Sequence, residues 1–343
     1  MIQNYILGGY TKRKNKGIHS IEFNPERGTF GSSSLISELD GPTFVVLSQD
    51  KDLLFAIHKQ DNRGGIVAFR LATDGQWQEI ARAFGSKVPG CHVSFRESSR
   101  TIYVSNYHGG TVDVYHLDDN DSLTHLQCVQ HEGSSVHANQ QSSHVHFADM
   151  NADQSLMYIC DLGTDIISTY SINDQGELTL ASELTLTPGT GPRHLVFHPA
   201  KPLIYAIGEL NNTSIVLNVA QDGSLSELQT ITNVPTDKVE ESAGAAIRIT
   251  KDGNFLYTST RFHNIITVYS ISAEDGLLEK IQEIDTVGQI PRDFILDSTD
   301  QFVLVAHQDS DYITVFSRHP ETGELKFLNN ETSAPECVCI ALA

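Results

Sequence analysis

A chain of 343 residues with a net charge of −20, 23 Lys and Arg against 43 Asp and Glu, is ill suited to bind nucleic acid, whose phosphates demand clustered cations. Its five cysteines are odd in number and scattered through apolar runs, which points to buried free thiols in a reducing cytoplasm rather than a disulfide framework. The start, Met1-Ile-Gln-Asn-Tyr-Ile-Leu-Gly-Gly9, lacks the charged head and apolar core of a signal peptide, and no run approaches a membrane span; a soluble cytoplasmic protein with no membrane partner is expected.

In chain order, Asn4-Tyr-Ile-Leu-Gly-Gly9 and Gly17-Ile-His-Ser-Ile-Glu-Phe23 read as strands of β-branched and aromatic residues. From Thr43 onward one format recurs. A short apolar strand opens each unit, at Thr43, His92, His144, Arg193, Ala245 and Arg292. A second strand follows after a turn, as at Leu53-Leu-Phe-Ala-Ile57, Ile102-Tyr-Val-Ser105, Leu203-Ile-Tyr-Ala-Ile207 and Phe302-Val-Leu-Val-Ala306. Third strands such as Gly110-Thr-Val-Asp-Val-Tyr115 alternate more clearly, as half-exposed strands do.

The repeat of roughly 40 to 50 residues is the sign of a propeller or solenoid. A seventh opening, Glu336-Cys-Val-Cys-Ile-Ala-Leu342, has nothing after it, and the N-terminal strands supply the remainder. The expectation is therefore all-β: a seven-bladed β-propeller of four-stranded antiparallel blades, one domain over residues 1–343, closed by the C-terminal strand joining the N-terminal blade. Two connections are long, about Gln130 to Ser143 and about Asn233 to Gly244, and either could cover one face.

In an antiparallel meander the start of the first strand and the end of the second share a face, and the first strand lies nearest the axis. Applied unit by unit, this rule collects His58 and Lys59, then His92 with Asn106 and Tyr107, then His144 and His146 with Asp161. It continues with Arg193, His194 and Glu209, with Arg261 and His263, and with Arg292, Asp293, His307, Gln308 and Asp309. Such a ring gathers cations of an acidic chain at one channel mouth and suits a small anionic ligand, since arginine grips carboxylate or phosphate bidentately. Asn106, Asp161 and Asp309 also fit turns, and any one histidine also fits a structural hydrogen bond. In a regular strand His144 and His146 share a face and could meet one metal ion, but no further ligand set accompanies them.

The segments Gly191-Pro-Arg-His-Leu-Val-Phe-His-Pro199 through Glu209, His144-Val-His146 with Asp161-Leu-Gly-Thr-Asp165, Asn106-Tyr-His-Gly-Gly110, and Pro291-Arg-Asp-Phe294 with His307-Gln-Asp-Ser310 resemble the seven-bladed propeller lactonases. This is the bacterial 6-phosphogluconolactonase type, related to fungal carboxy-muconate cyclases, and the resemblance runs from Gly8-Gly-Tyr-Thr11 to the last strand. It implies hydrolysis of 6-phosphogluconolactone to 6-phosphogluconate in the pentose phosphate route, with no metal or cofactor and a small anionic sugar lactone as partner.

The resemblance places catalysis on His146, Arg193 and Glu209, with Arg261 matching a further arginine of the cyclases. The expected division of labour makes Glu209 or His146 the general base and Arg193 the oxyanion's partner. Substrate contacts are expected from His92, His144, His194, Arg261, Arg292 and Gln308, with Arg261 and Arg292, joined by His92 or Lys59, holding the phosphate. The chain departs from the family pattern at Arg261-Phe-His263 and at His307. A muconate-type cycloisomerase, a metal-dependent sugar lactonase and a binding module are the alternative functions that this fold allows.

Overall fold

Residues 1–61, 63–85 and 88–343 are described by a computed structural model. They form seven antiparallel sheets around one axis, and six of these run outward from their first strand in chain order. Six are four-stranded blades, at residues 45–84 (blade 1), 92–130 (blade 2), 145–185 (blade 3), 192–232 (blade 4), 243–285 (blade 5) and 291–333 (blade 6). Blade 7 closes the ring: the C-terminal strand Cys337–Leu342 is its innermost member and pairs with Gln3–Gly9, which pairs with Gly17–Asn24.

The closing blade differs from expectation at its edge. Its outer position is split between Thr29–Phe30 and Ser34–Glu38, both paired with Gly17–Asn24. A turn at Gly28, whose φ is +63°, and the residues after Phe30 break the strand. The one helical element among the described residues is a 3-10 turn, Thr236–Lys238.

Each pair of neighbouring blades encloses its own apolar layer. Between blades 4 and 5, for example, Tyr205, Ile207, Val216, Ile247, Leu256 and Tyr269 pack together, all fully buried. Burying one such side chain is worth about 1.5–3 kcal/mol, and seven layers distribute that gain around the ring. A repeated polar latch fixes the spacing. The hydroxyls of Tyr103, Tyr158, Tyr205 and Tyr257 donate to the carbonyls of Gly176, Gly223, Gly276 and Gly323 in the following blade, at 2.8 to 3.1 Å. At the rim, outermost strands carry an extra residue against the third strand, at Ile80, Leu126, Ala181, Leu228, Ile281 and Leu328. Such bulges break the flat hydrogen-bonding edge that would otherwise template another strand.

The innermost strands matter for function. In blades 3, 4 and 6 the register skips one residue at the start of the first strand: His146, Arg193 and Arg292 have no partner on the second strand. Blade 7 does the same at Val338, and in blade 5 Ala245 and Ala246 stand opposite Ser259 alone. Bulges re-aim side chains and concentrate beside active sites. Here they turn equivalent residues of successive blades toward the axis.

Candidate active site

One cavity of about 750 Å³ opens at the axis, and the bulged residues His146, Arg193, Arg292 and Val338 line it. Ends of second strands complete the wall with Lys59, Tyr107, Glu209 and Arg261, and connecting segments add Tyr10–Lys12, Asp40, Gly41, Thr43, Phe44 and Val88–Cys91.

At its centre is a carboxylate held by two guanidinium groups. Glu209 Oε2 accepts from Arg193 Nε at 2.9 Å and pairs with Arg261 Nη2 at 2.8 Å. The backbone makes this possible by bringing blades 4 and 5 close together. Glu209 N donates to Gly191 O at 2.8 Å and Gly244 N donates to Glu209 O at 3.1 Å. A Cβ on Gly244 would lie 2.5 Å from the Gly208 carbonyl, and Gly191 has a φ of +60°, so both positions require glycine. Arg193 is only 2 % exposed, and its Nη1 also donates to the Ala245 carbonyl at 2.5 Å. Burial, then Arg292 and Arg261, pull its pKa down to about 9 against the pull of Glu209, which leaves it charged at neutral pH. Burial works to raise Glu209, but Arg261, Arg193 and Arg292 outweigh it and hold the carboxyl below its usual range.

Next to this triad stand three histidines in contact. The His146 and His194 ring centroids are 5.1 Å apart and those of His194 and His92 5.9 Å. Burial first, and then the charges around Arg193, hold His146 and His194 well below the ordinary imidazole value; His92 falls to about 3. All three rings are therefore neutral at pH 7. His194 Nε2 faces Arg193 Nη1 at 3.3 Å and accepts from it. The Nδ1 atoms of His92, His146 and His194 have no hydrogen-bond partner among the described residues. Beside His146, the Cys91 thiol reaches the carbonyls of Ser105, Val145 and His146 at 3.5, 3.6 and 3.3 Å. Burial pushes its pKa up to about 12, so it stays a thiol.

The structure brings His146, Arg193, Glu209, His194, Arg261 and Arg292 to the cavity, together with Lys59, Tyr107 and Asp293. Three expected substrate contacts lie elsewhere. His92 sits one residue beyond the wall and packs between Phe44 and Phe147, at 4.4 and 4.2 Å. His144, which does not line the cavity, stacks on Tyr107 at 4.3 Å and bonds that residue's carbonyl. Gln308 donates its backbone N–H to Ile290 and contributes its carbonyl to Arg13, away from the cavity. The bulge at His146 undoes the shared face assumed for His144 and His146, and among the described residues no group of three or more His, Cys, Asp or Glu is arranged to hold a metal ion.

Of the other ring candidates, His58 bonds Arg82 and His307 is buried against Thr314. Asn106 and Asp161 close turns: Asn106 bonds Thr111 and Asp113, and Asp161 accepts from Ser143 and from the N–H groups of His144 and Gly163. Neither long connection lines the cavity. The first is tied to blade 3 through Gln140, which donates to Leu162 O and Asp165, and the second to blade 4 through Asn212, which holds the Val239 and Ser242 carbonyls.

Tyr10, Thr11, Lys12, Asp40 and Cys91 are wall residues that the strand rule did not collect. Tyr10 was within its reach, because it directly follows the second strand of the closing blade just as Glu209 follows that of blade 4.

Among known proteins, the chain is 32% identical over 337 residues to the 6-phosphogluconolactonase of Bacillus subtilis (strain 168), an alignment covering 97% of this chain and 96% of the relative. It is 37% identical over 342 residues, 99% of each chain, to the protein YwcC of Lactococcus lactis subsp. lactis. Its fold superposes on a crystal structure of a protein from Lactobacillus plantarum with a TM-score of 0.95 and 34% identity, covering 100% of both chains. The periplasmic gluconolactonase PpgL of Pseudomonas aeruginosa gives a TM-score of 0.94 at 26% identity, with 100% of this chain and 99% of that one covered. Residues 4–342 match the family described as lactonase, 7-bladed beta-propeller, and the chain belongs to that family.

Proposed function

We propose that this lactonase hydrolyses 6-phosphogluconolactone to 6-phosphogluconate in the axial cavity. The observation that carries the reading is a neutral histidine, His146, facing a buried arginine, Arg193, that Glu209 holds in one orientation. The name of the Bacillus subtilis relative points to the same substrate.

His146 accepts a proton from water as the water oxygen attacks the lactone carbonyl carbon. Burial depresses this imidazole most and the charges of Arg193, Arg292 and Arg261 add to it; an anionic substrate offsets those charges and so strengthens His146 as a base. Glu209 is the weaker candidate for that step because its Oε2 already serves two arginines. Charge that develops on the former carbonyl oxygen is met by the Arg193 guanidinium, fixed in advance and shielded from bulk water. The tetrahedral intermediate then collapses, the bond from the carbonyl carbon to the ring oxygen breaks, and that oxygen takes the proton back from His146. The products are a free hydroxyl and a carboxylic acid, which ionises.

The test is hydrolysis of freshly generated 6-phosphogluconolactone above its spontaneous rate. Arg193→Ala is expected to lower kcat by roughly 10²-fold or more, the usual cost of losing an oxyanion donor, while treatment of the wild type with a chelator leaves the rate unchanged. Arg193→Lys keeps the charge but not the fork between Glu209 and Ala245, and is expected to remain slow. Full activity in a folded Arg193→Ala protein would exclude this mechanism.

A further inference from the structure

The cavity wall is more positive than the chain it belongs to. Lys12, Lys59, Arg193, Arg261 and Arg292 face Asp40, Glu209 and Asp293, five cations against three carboxylates in a protein of net charge −20. The carboxylates are already engaged. Glu209 holds Arg193 and Arg261, Asp293 pairs with Arg248 at 2.6 Å and accepts from the Ile340 N–H, and Asp40 accepts from the Thr11 hydroxyl at 2.6 Å. The side chains of Lys12 and Arg292 form no ion pair or hydrogen bond among the described residues. Both instead lie over one ring, Tyr10, with Lys12 Nζ 4.8 Å and the Arg292 guanidinium carbon 6.0 Å from its centroid.

The segment that presents Lys12 is built, not loose. The Glu336 carboxylate, only 3% exposed, accepts the backbone N–H groups of Lys12, Arg13, Lys14 and Asn15 at 2.8 to 3.2 Å, and Asn15 Nδ2 donates to the Tyr10 carbonyl. Of the three consecutive bases, Arg13 and Lys14 are both spent on Asp311. Lys12 alone is left for the cavity.

We propose that Lys12 and Arg292, set over Tyr10, are the anchor for the phosphate of the substrate and make the enzyme prefer phosphorylated lactones. A phosphate monoester carries about −1.5 to −2 charges at neutral pH, which matches the two cations set over Tyr10, with Lys59, likewise unpaired among the described residues, on the same wall; a lactone without phosphate leaves them unanswered. Arg292 lines the same cavity as Arg193 and Glu209, so one ligand can reach both ends of the site. This anchor rests on the lactonase reading of the same cavity.

The experiment compares 6-phosphogluconolactone with glucono-δ-lactone for the wild type, Lys12→Met, Arg292→Met and the double variant, each checked for an unchanged melting curve. Each single variant is expected to raise KM for the phosphorylated lactone about tenfold or more, the worth of a charge-assisted hydrogen bond, and the double variant is expected to lose the preference for phosphate. A preference retained by the folded double variant overturns the anchor while leaving the hydrolysis reading intact. In parallel, calorimetry with 6-phosphogluconate separates the two ideas if neither lactone is turned over. Wild-type binding that disappears in the double variant supports the anchor without the reaction, and no binding, or binding that survives, overturns it.

Discussion

Replacing Glu209 by Gln removes the charge that neutralises two guanidinium groups while keeping the side chain's size. Arg193 and Arg261 are 2 % and 8 % exposed, and both reach the same oxygen of Glu209. Removing one partner of a buried ion pair costs about 3–5 kcal/mol. The lower figure is expected here, because Glu209 keeps 16% of its side chain exposed to the cavity and Gln can still accept a hydrogen bond. For a chain of this length, about 3 kcal/mol lowers Tm by roughly 4 °C. The pH dependence identifies the cause. Glu209 titrates below its ordinary 4.5 in the folded protein, so its stabilisation is fully present above that value and is lost as the pH falls through the folded pKa. Thermal melts of wild type and Glu209→Gln, recorded from neutral pH downward, should therefore show a gap that closes in acid. An equal Tm at neutral pH would show that the arginines do not need the carboxylate. A gap that stays constant in acid would assign the loss to packing, and would refute the electrostatic account of the site.

His146→Gln should slow hydrolysis by about 10²–10⁴-fold, the usual contribution of a positioned base. Because the imidazole is held well below 6.5 in the free enzyme, wild-type kcat/KM should show no inflection near 6.5, and one that appears there and vanishes in the variant would contradict the neutral-histidine assignment. Glu336→Ala deletes the acceptor for four backbone N–H groups, at a cost of about 2–4 kcal/mol. It should raise KM for the phosphorylated lactone more than it lowers kcat, since the segment it releases carries Lys12. A change in Tm without a change in KM would make Glu336 a seam residue only.

The propeller was legible because the blades repeat the same alternation and turn placement, and because a seventh strand opening near the C-terminus complements the two strands near the N-terminus. The rule that first-strand starts and second-strand ends share a mouth also located Arg193, Glu209, Arg261 and Arg292, which are well separated in the sequence. It failed where side-chain direction departs from strict alternation. A sequence does not display the extra residue at His146, so His144 was expected on the same face, whereas it stacks on Tyr107 outside the cavity. The same one-residue uncertainty exchanges Cys91, on the wall, for His92, behind it. Lys12 was invisible for another reason. Only the four hydrogen bonds to Glu336, more than 320 residues away in sequence, turn that segment into part of the cavity.

A ring of seven similar blades has no intrinsic direction, yet the proposed substrate, a lactone with a carbonyl at one end and a phosphate at the other, must bind in one orientation. The asymmetry comes from what occupies the re-aimed positions of the inner strands. Blades 3, 4 and 6 place His146, Arg193 and Arg292 there, whereas blades 5 and 7 place alanines and Val338. The alanine of blade 5 has a use: its carbonyl receives Arg193, which lets that guanidinium lie between blades and meet Glu209. Blade 7 has only a valine at this position, and its polar contribution comes from the turn after its second strand, where Tyr10 and Lys12 approach Arg292 of blade 6. The proposed reacting end thus rests on strand bulges, whereas the proposed anchoring end joins one bulged residue, Arg292, to a turn clamped at the ring's closure. Substitutions in the Tyr10–Lys12 turn can therefore alter which anion is preferred without disturbing the arginine and histidine chemistry, provided Glu336 continues to hold the backbone.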